Sequence, residues 1–348
     1  MVGVNHIMTW FYAEQTGEES FYPQVAELSS SQKFQEVYWR CVVGQYATSF
    51  RHNPDCKHIF FTNVPKNALP IVDGQPVGDT LKELGVEVVN LPLVYSTPDD
   101  FFHEWRSQFY IFGIFKYLVE NHTNDANTYI LLDSDCAWVR PAAPLFKEIA
   151  ENGVLMYEIP YTENHMAHGL SRMDMKAIYE EMLGEKLDFV PRYFGGEVQA
   201  MTLKAMKTLM ADYDWVWETS LQRNTEGKKK FTMEAFVLSF LYHKHGFTND
   251  GLDKYIRRIW TVDHHYTAQP SDLDLTIWHM PTEKKTGFRK LYGDILKKSS
   301  PFWTTPLGPD FIRYVSGIMQ IPHRPFKRLV FSQLRKVRNG LKATFSPA

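Results

Sequence analysis

Two aspartates one residue apart, Asp133 and Asp135, have the types and the spacing in this 348-residue chain that point most directly to chemistry. They follow a run of strand-forming apolar residues, 129–132, which is long enough for a buried strand and too short for a helix. In an extended chain alternate side chains point the same way, so both carboxylates can face one side. Such a pair at a strand's carboxyl end favours a neutralising cation, and hard oxygen ligands suit Mn²⁺ or Mg²⁺. That ion could hold a diphosphate, although two acids can also simply end a strand and cap a turn.

Two glutamates in the second half of the chain are candidate catalytic carboxylates. Glu197 follows Gly195 and Gly196, a pair that lets the backbone approach a ligand closely, and it lies on a predicted strand. Glu234 falls in the first turn of a helix predicted over residues 232–242. A β-bulge would also explain the two glycines, and the helix dipole alone would favour Glu234.

Candidate contacts for a metal, a diphosphate and a base lie on both sides of these acids. His279, at the end of an apolar strand, is a candidate third metal ligand, and Lys284 or Lys285 could balance phosphate charge. Arg106 lies in the first turn of a predicted helix, where a cation could meet a phosphate. Tyr12 ends the first predicted strand and could stack on a base. The structural alternatives are a core histidine, a solvated arginine at a helix end and a core aromatic residue.

Alternating strands and helices must position these residues. The pattern predicts strands over residues 4–12, 57–64, 85–91, 129–132 and 154–159. It predicts helices over residues 35–50, 105–120 and 145–149. Such alternation indicates an α/β fold with a doubly wound, mostly parallel central sheet flanked by helices.

Composition describes a globular chain and excludes several classes of protein. Hydrophobic residues make up 44% and charged residues 22%, and the net charge of -2 says little about partners. The chain has three cysteines, an odd number, and they are far apart in the sequence: Cys41, Cys56 and Cys136. This usage is typical of a reducing compartment and argues against a disulfide framework. No cleavable signal and no run of about 18 apolar residues is found. We therefore expect a cytoplasmic catalytic body, and we predict no nucleic-acid partner.

Together these motifs resemble the GT-A nucleotide-sugar glycosyltransferases, and they are most similar to the retaining families 8 and 6. The resemblance spans residues 128–290 as scattered motifs. In family 8 the two acids and a histidine hold the metal, and a lysine six residues later contacts the diphosphate. In family 6 an aromatic-Gly-Gly strand and a helix-borne glutamate line the sugar. The resemblance therefore implies those roles for Asp133, Asp135, His279 and Lys285, and for residues 194–196 and Glu234.

The chain departs from the family 8 pattern in two places. It has Gly-Gly-Glu where Asn-x-Gly is usual, and it lacks the glycines and the Pro-Trp expected around the last lysine. These departures concern the subfamily and therefore the stereochemistry. The candidate catalytic residues Glu197 and Glu234 are not assigned individual roles by the sequence.

The resemblance implies a GT-A fold and a metal-dependent transfer reaction. The donor is expected to be a nucleoside-diphosphate sugar, specifically a UDP-sugar, and the acceptor a glycan or lipid-linked glycan of surface polysaccharide assembly. The cofactor is expected to be Mn²⁺ or Mg²⁺, and the reaction to retain configuration.

Two other classes remain open. A haloacid-dehalogenase-like phosphatase would use Asp133 as nucleophile, but its motif normally lies early in the chain and carries Thr or Val where this chain has Ala137. A non-catalytic carbohydrate-binding protein on a GT-A fold is the other alternative.

The end of the chain has a charge distribution of its own. Residues 311–348 contain eight Lys or Arg and no acid, whereas residues 1–310 carry a net charge of -10. We therefore divide the chain into a catalytic domain, 1–310, and a basic amphipathic helical tail, 311–348. Such a helix favours peripheral binding to an anionic membrane at its inner face, although it could also dock on the acidic body of the enzyme.

Overall fold

A six-stranded sheet lies at the centre of the protein, for which a computed structural model describes residues 3–22, 25 and 27–323. Its strand order is β5-β2-β1-β6-β9-β8. The first four strands in this order run parallel, and β9 and β8 are each antiparallel to their neighbour. Its strands are β1 (Asn5–Phe11), β2 (Lys57–Thr62), β5 (Val86–Asn90), β6 (Thr128–Leu132), β8 (Val154–Leu155) and β9 (Val198–Thr202).

A second, three-stranded sheet stands beside the first and has the order β10-β13-β7. Strands β10 and β13 are parallel, and β13 is antiparallel to β7. Its strands are β7 (Cys136–Trp138), β10 (Ile256–Arg258) and β13 (Ile277–His279), and two small hairpins comprise β3 (Ile71–Val72) with β4 (Gln75–Pro76) and β11 (Thr261–Val262) with β12 (His265–Tyr266).

Helices cover both faces of the central sheet. Their bounds are α1 (Gln32–His52), α2 (Val77–Glu83), α3 (Tyr110–Asn121), α4 (Ala143–Asn152), α5 (Arg172–Leu183), α6 (Leu203–Thr225), α7 (Glu234–Lys244), α8 (Gly287–Ile295), α9 (Pro301–Thr304) and α10 (Pro309–Met319). Strands β2 and β6 are buried along nearly their whole length, as strands covered on both faces require.

Alternation along the strands creates a separate core on each side of the sheet. In β2, Ile59 and Phe61 pack with α3, α6 and α7, whereas Phe60 packs with α1, α2 and α8. In β6, Leu131 belongs to the first of these cores, and Leu132 packs with α4 on the opposite side. A strand with apolar side chains on both faces must be buried at the centre of the fold, and β6 is therefore a rigid support for the aspartates that follow it.

Most predicted elements differ from the structure by a few residues at their ends, and three differences bear on the site. The helix predicted over residues 105–120 begins only at Tyr110, because Trp105 has a left-handed backbone and Arg106–Phe109 form a 3-10 turn. The strand predicted over residues 154–159 is only β8, two residues long. Glu197 immediately precedes β9, where its carbonyl still accepts a hydrogen bond from Asp133.

The last described helix belongs to the packed body of the protein. In α10, Phe311, Val315 and Met319 are buried in the core formed with α1 and α8. The boundary that we predicted between residues 310 and 311 therefore falls inside a packed helix. The basic helix predicted beyond it, from residue 324 onward, lies outside the described residues. No helix within the described part of the chain is long and apolar enough to cross a membrane.

Candidate active site at the junction of the two sheets

Strand pairing brings the predicted acids and the histidine together. Strand β6 ends directly before Asp133, whose amide donates a hydrogen bond of 3.0 Å to the carbonyl of Glu197 at the start of β9. Three residues after Asp133 the chain enters β7, where Cys136 pairs with His279 of β13. The amide of Met280 donates to the carbonyl of Asp135 at 2.9 Å. Residues far apart in the sequence therefore meet where the two sheets adjoin.

Asp133, Asp135 and His279 form a group that could hold a metal ion. One potential ligand atom from each residue lies within 4.8 Å of the others. His279 Nε2 is 3.4 Å from Asp135 Oδ2 and 3.7 Å from Asp133 Oδ2. Two carboxylates and one imidazole are donors suited to Mn²⁺, and the carboxylates also suit Mg²⁺. The residues present therefore fit the divalent cation that the sequence predicts.

Burial and neighbouring charges shift the pKa values of the residues in this group. The cavity walls limit hydration of the Asp133 carboxyl and raise its pKa to about 6, although 40% of the side chain is exposed. Burial alone would lower the pKa of His279, but the charge of Asp135 outweighs burial and raises this pKa to about 9. Because histidine binds metals as the neutral imidazole, binding of a cation here would release that proton.

Lys284 completes the buried charge cluster. Its Nζ lies 2.9 Å from Asp135 Oδ2, and 10% of the lysine side chain and 2% of the aspartate side chain are exposed. The charge of Asp135 keeps the pKa of Lys284 above its ordinary value despite burial. The ammonium also lies over the ring of Tyr38, 5.3 Å from its centroid. A permanent cation therefore stands beside the candidate metal ligands.

Glu197 is bound by an arginine that sequence reasoning did not single out. Its Oε1 accepts from Arg258 Nε at 2.9 Å and lies 2.7 Å from a second guanidinium nitrogen. Burial would raise the pKa of Glu197, but Arg258 and His279 outweigh it and hold this pKa at about 2. A Cβ on Gly195 would lie 2.1 Å from Glu197 Oε2, so only glycine leaves room for this carboxylate.

Glu234 is the second glutamate of the site; it is half-buried at the first position of α7, and its Oε2 is buried. A Cβ on Gly196 would lie 1.9 Å from Glu234 Oε1, so the second glycine of the pair accommodates this side chain. Glu234 Oε2 has no hydrogen-bond partner among the described residues. Burial, with the negative charges of Asp133 and Glu197 added, raises the pKa of Glu234 to about 8. A protonated carboxyl at neutral pH is therefore available beside the candidate metal ligands.

These groups line one cavity of about 440 Å³. Aromatic rings form much of its wall, and several of them are partly exposed to the cavity. Tyr12 lies on this wall, and its hydroxyl donates to the Glu18 carboxylate at 3.2 Å. The ring-bearing residues of the wall are Trp10, Phe11, Tyr12, Tyr22, Tyr38, Trp105, Tyr161, His168, Tyr193 and Trp260.

Two predicted cations lie elsewhere. Arg106 lines a neighbouring cavity of about 340 Å³, where it forms an ion pair of 2.6 Å with Asp99. Lys285 is exposed and does not line the 440 Å³ cavity, whereas Lys284 does. The structure therefore brings together Asp133, Asp135, His279, Lys284, Gly196, Glu197, Glu234 and Tyr12, with Gly195 directly behind Glu197, and it leaves Arg106 and Lys285 outside this group.

Sequence reasoning missed several residues of the cavity wall, among them Arg258, Trp105 and His168. Arg258 ends a three-residue strand with no motif around it, and only its pairing with His279 reveals its position. Trp105 and His168 have left-handed backbones, with φ of 39° and 47°, and their rings contact edge to face with centroids 5.2 Å apart. Such conformations are unfavourable for residues other than glycine and concentrate at functional sites. No sequence pattern predicts these left-handed conformations.

Comparisons with known proteins agree with this architecture. No family model and no curated protein matches the sequence. Solved structures do match. The bifunctional glycosyltransferase WbbM, in its apo form, superposes with a TM-score of 0.50 at 10% identity, over 87% of this chain and 50% of that chain. The galactosyltransferase LgtC, in complex with donor and acceptor sugar analogues, gives a TM-score of 0.47 at 10% identity over 92% and 98% of the two chains.

A third structure, of mouse xyloside xylosyltransferase 1 in its apo form, gives a TM-score of 0.45 at 11% identity over 79% and 97% of the two chains. At such identities the likeness is one of fold. Together with the sheet order and the helices on both faces, the match to WbbM confirms the predicted α/β fold of the GT-A type.

Proposed function

We propose that this protein is a metal-dependent glycosyltransferase that moves a sugar from a nucleoside-diphosphate donor, a UDP-sugar, to a glycan or lipid-linked acceptor. The observation that carries the proposal is the group of Asp133, Asp135 and His279 beside the buried Lys284, all facing a cavity with aromatic walls. Cations and aromatic rings are what the diphosphate, the base and the sugar of such a donor require.

The departing nucleoside diphosphate gains negative charge as the glycosidic bond breaks. When bound by Asp133, Asp135 and His279, Mn²⁺ or Mg²⁺ supplies Lewis-acid neutralisation of this charge. Lys284 adds a fixed positive charge at the same end of the cavity. Because its site is buried, its effect on the growing charge is larger than it would be in water.

Glu234 is the group that we assign to the reacting sugar. It is half-buried at the start of α7 and lines the cavity, and its Oε2 has no hydrogen-bond partner in the described part of the chain, so this oxygen is available to a ligand. In its protonated form it can donate to a sugar hydroxyl, and in its ionised form it can stabilise an oxocarbenium-like centre. Reaction with retention of configuration requires such a group on the β face of the donor sugar, where it stabilises the oxocarbenium-like state.

The aromatic wall supplies the remaining recognition. Tyr12 and its neighbours at the end of β1 are positioned to stack on the base of the donor. Trp105 and His168 lie on the same cavity wall and are suited to an acceptor sugar, because aromatic faces and ring nitrogens complement a pyranose. We further propose a role in surface polysaccharide assembly at the cytoplasmic face of a membrane, which rests on the basic composition beyond residue 310.

The experiment that tests the proposal measures hydrolysis and transfer from a panel of nucleotide sugars with and without Mn²⁺. Wild-type protein is expected to act on at least one donor only in the presence of the metal. Asp133→Asn is the variant of choice because Asp133 is 40% exposed, so the substitution should not unfold the protein. Asp188→Asn, at an exposed acid outside the cavity, is the matched control.

Three outcomes separate the alternatives. Metal-dependent transfer of the sugar to an acceptor that is lost in Asp133→Asn and kept in Asp188→Asn supports the transferase. Trapping of phosphate on Asp133 would favour a phosphatase. Metal-dependent nucleotide binding with no turnover of any donor would favour a carbohydrate-binding protein without catalysis.

A further inference from the structure

Glu197 lies between an arginine and the histidine of the candidate metal group. Its Oε1 accepts a hydrogen bond from Arg258 Nε at 2.9 Å and is 2.7 Å from the terminal guanidinium nitrogen. The same oxygen is 3.7 Å from His279 Nδ1. The side chains of Glu197 and His279 are 2% and 4% exposed, so solvent does not separate these groups.

The order of the strands creates this arrangement. Arg258 and His279 pair with each other at the ends of β10 and β13, so their side chains leave adjacent strands at one level. Glu197 arrives from the other sheet, where its carbonyl accepts from the amide of Asp133. Gly195 removes the Cβ that would collide with Glu197 Oε2. Two sheets and a glycine therefore fix one carboxylate against one imidazole.

The imidazole of His279 has one nitrogen facing the aspartates and one facing Glu197. Nε2 approaches Asp133 and Asp135, which makes it the nitrogen available to a metal. Nδ1 is buried and has no hydrogen-bond partner among the described residues. A metal-binding histidine normally donates from its other nitrogen to a carboxylate or a carbonyl, which fixes its tautomer and the orientation of its ring.

We propose that Glu197 is a positioning residue, whose carboxylate is fixed by Arg258 and orients His279 for the divalent cation held with Asp133 and Asp135. The inference rests on the metal site of the proposed function and adds the residues behind it. It also separates the roles of the two glutamates that line the cavity. Glu234 contacts the reacting sugar, whereas Glu197 acts through His279.

The contacts of Glu197 support this division of roles. Oε1 is the oxygen of Glu197 that lies 3.7 Å from the imidazole of His279, and it is also the oxygen that accepts from Arg258 Nε at 2.9 Å. The guanidinium therefore fixes the oxygen that faces the histidine, as expected of a group that orients His279.

The test measures Mn²⁺ affinity by electron paramagnetic resonance of the free ion, with Mn²⁺ alone and with Mn²⁺ plus UDP. In Glu197→Gln we expect an affinity about 10- to 100-fold weaker than in the wild type, as found when the group behind a metal-binding histidine is removed. Asp272→Asn is the matched control, because Asp272 is a 1% exposed acid paired at 2.6 Å with Arg257, the neighbour of Arg258 on β10. This control should lose stability and keep its metal affinity.

A second variant controls for misfolding caused by an unpaired arginine. Glu197→Gln leaves Arg258 without its partner, so the double variant Glu197→Gln/Arg258→Met removes both charges together. Its metal affinity is expected to be as weak as that of the single variant. If either variant folds and binds Mn²⁺ as the wild type does, the positioning role is overturned while the metal site stands. If the wild type binds no Mn²⁺ with or without UDP, the metal site fails, and the positioning role fails with it.

Discussion

Lys284, on the turn that follows β13, forms a buried ion pair with Asp135, in which Nζ lies 2.9 Å from Oδ2. The next residue in the chain, Lys285, is exposed. Two adjacent lysines therefore have opposite environments, and only Lys284 lines the cavity. Because the chain offers both, it provides its own control for the role of a cation at the diphosphate.

We predict that Lys284→Met lowers kcat far more than it weakens donor binding, since negative charge on the diphosphate grows toward the transition state. The expected loss is on the order of 100-fold, as for removal of one preorganised electrostatic contact. Lys285→Met should leave kcat and KM within about twofold of the wild type. Steady-state kinetics on the two variants, with melting curves to check folding, measure the difference. Equal losses in both variants would remove the special role of Lys284.

A glycine substitution tests the position of Glu234. Gly196→Ala would introduce a Cβ 1.9 Å from Glu234 Oε1 and must displace that carboxyl. A displacement of about 1 Å commonly costs about 100-fold in rate, so kcat is expected to fall by that order while Mn²⁺ affinity is maintained. Gly317→Ala is the control, because this helical glycine has open space around it, and alanine there is expected to stabilise the helix by roughly 0.5–1 kcal/mol. An active Gly196→Ala enzyme would show that the site does not depend on Glu234.

The fold and the candidate metal group could be predicted from the sequence because each rests on local patterns. The composition of the buried strand before Asp133 and of the apolar run before His279 predicts both elements. The order of the motifs along the chain carries the resemblance to the GT-A fold. The antiparallel register of β6 with β9 then determines which glutamate carbonyl meets Asp133. That register is a property of the whole sheet, and no window of sequence contains it.

The predictions that the structure places elsewhere share one physical cause. A shift of one position in a turn decides whether a lysine faces a cavity or solvent, so the six-residue spacing pointed to Lys285 while the fold brings in Lys284. Arg106 follows a left-handed residue, Trp105, which redirects the chain before α3 begins. Its guanidinium consequently pairs with Asp99 in the neighbouring cavity. Backbone conformations of this kind follow from tertiary contacts and leave no periodic pattern.

Because three histidines outside the cavity are buried, we predict that the free energy of unfolding decreases at acid pH. Burial is the main cause that lowers the pKa of His6, His52 and His58 from 6.5 to about 4. Between pH 6.5 and pH 4 the unfolded chain therefore binds more protons than the folded chain. The contribution of these histidines to the free energy of unfolding is fully present above about pH 6.5 and is lost as the pH falls toward 4. Each group contributes a slope of up to about 1.4 kcal/mol per pH unit. Chemical denaturation at pH 7, 6 and 5 measures this slope.

Replacement of one of these histidines identifies its contribution. His58 Nε2 lies 2.8 Å from Ser49 Oγ, and His58→Gln keeps a polar group there without a titrating imidazole. We expect the stability of this variant to depend less steeply on pH between 6.5 and 4. His103→Gln, at a histidine whose side chain is 75% exposed, should leave the slope unchanged. A slope that is the same in His58→Gln and the wild type would contradict the assignment.

The basic segment beyond the described residues predicts binding to anionic membranes. It is predicted to carry one apolar helical stripe surrounded by cations, with the stripe formed by Phe326, Val330, Leu334, Val337 and Leu341. Each nearby cation adds about 1 kcal/mol of attraction at an anionic surface, and this attraction is screened by salt. Full-length protein should therefore co-sediment with anionic vesicles at low salt, less at high salt and poorly with neutral lipid.

The truncation that tests this segment must preserve the helix before it. Because Phe311, Val315 and Met319 of α10 are part of the core, the shortened protein should end at residue 323 and not at 310. It is expected to keep its melting temperature and its turnover on a soluble acceptor while losing vesicle binding and turnover on a lipid-linked acceptor. The alternative, a helix docked on the acidic body of residues 1–310, makes the opposite prediction. In that case the full-length protein ignores anionic vesicles at low salt, and the truncation lowers the melting temperature.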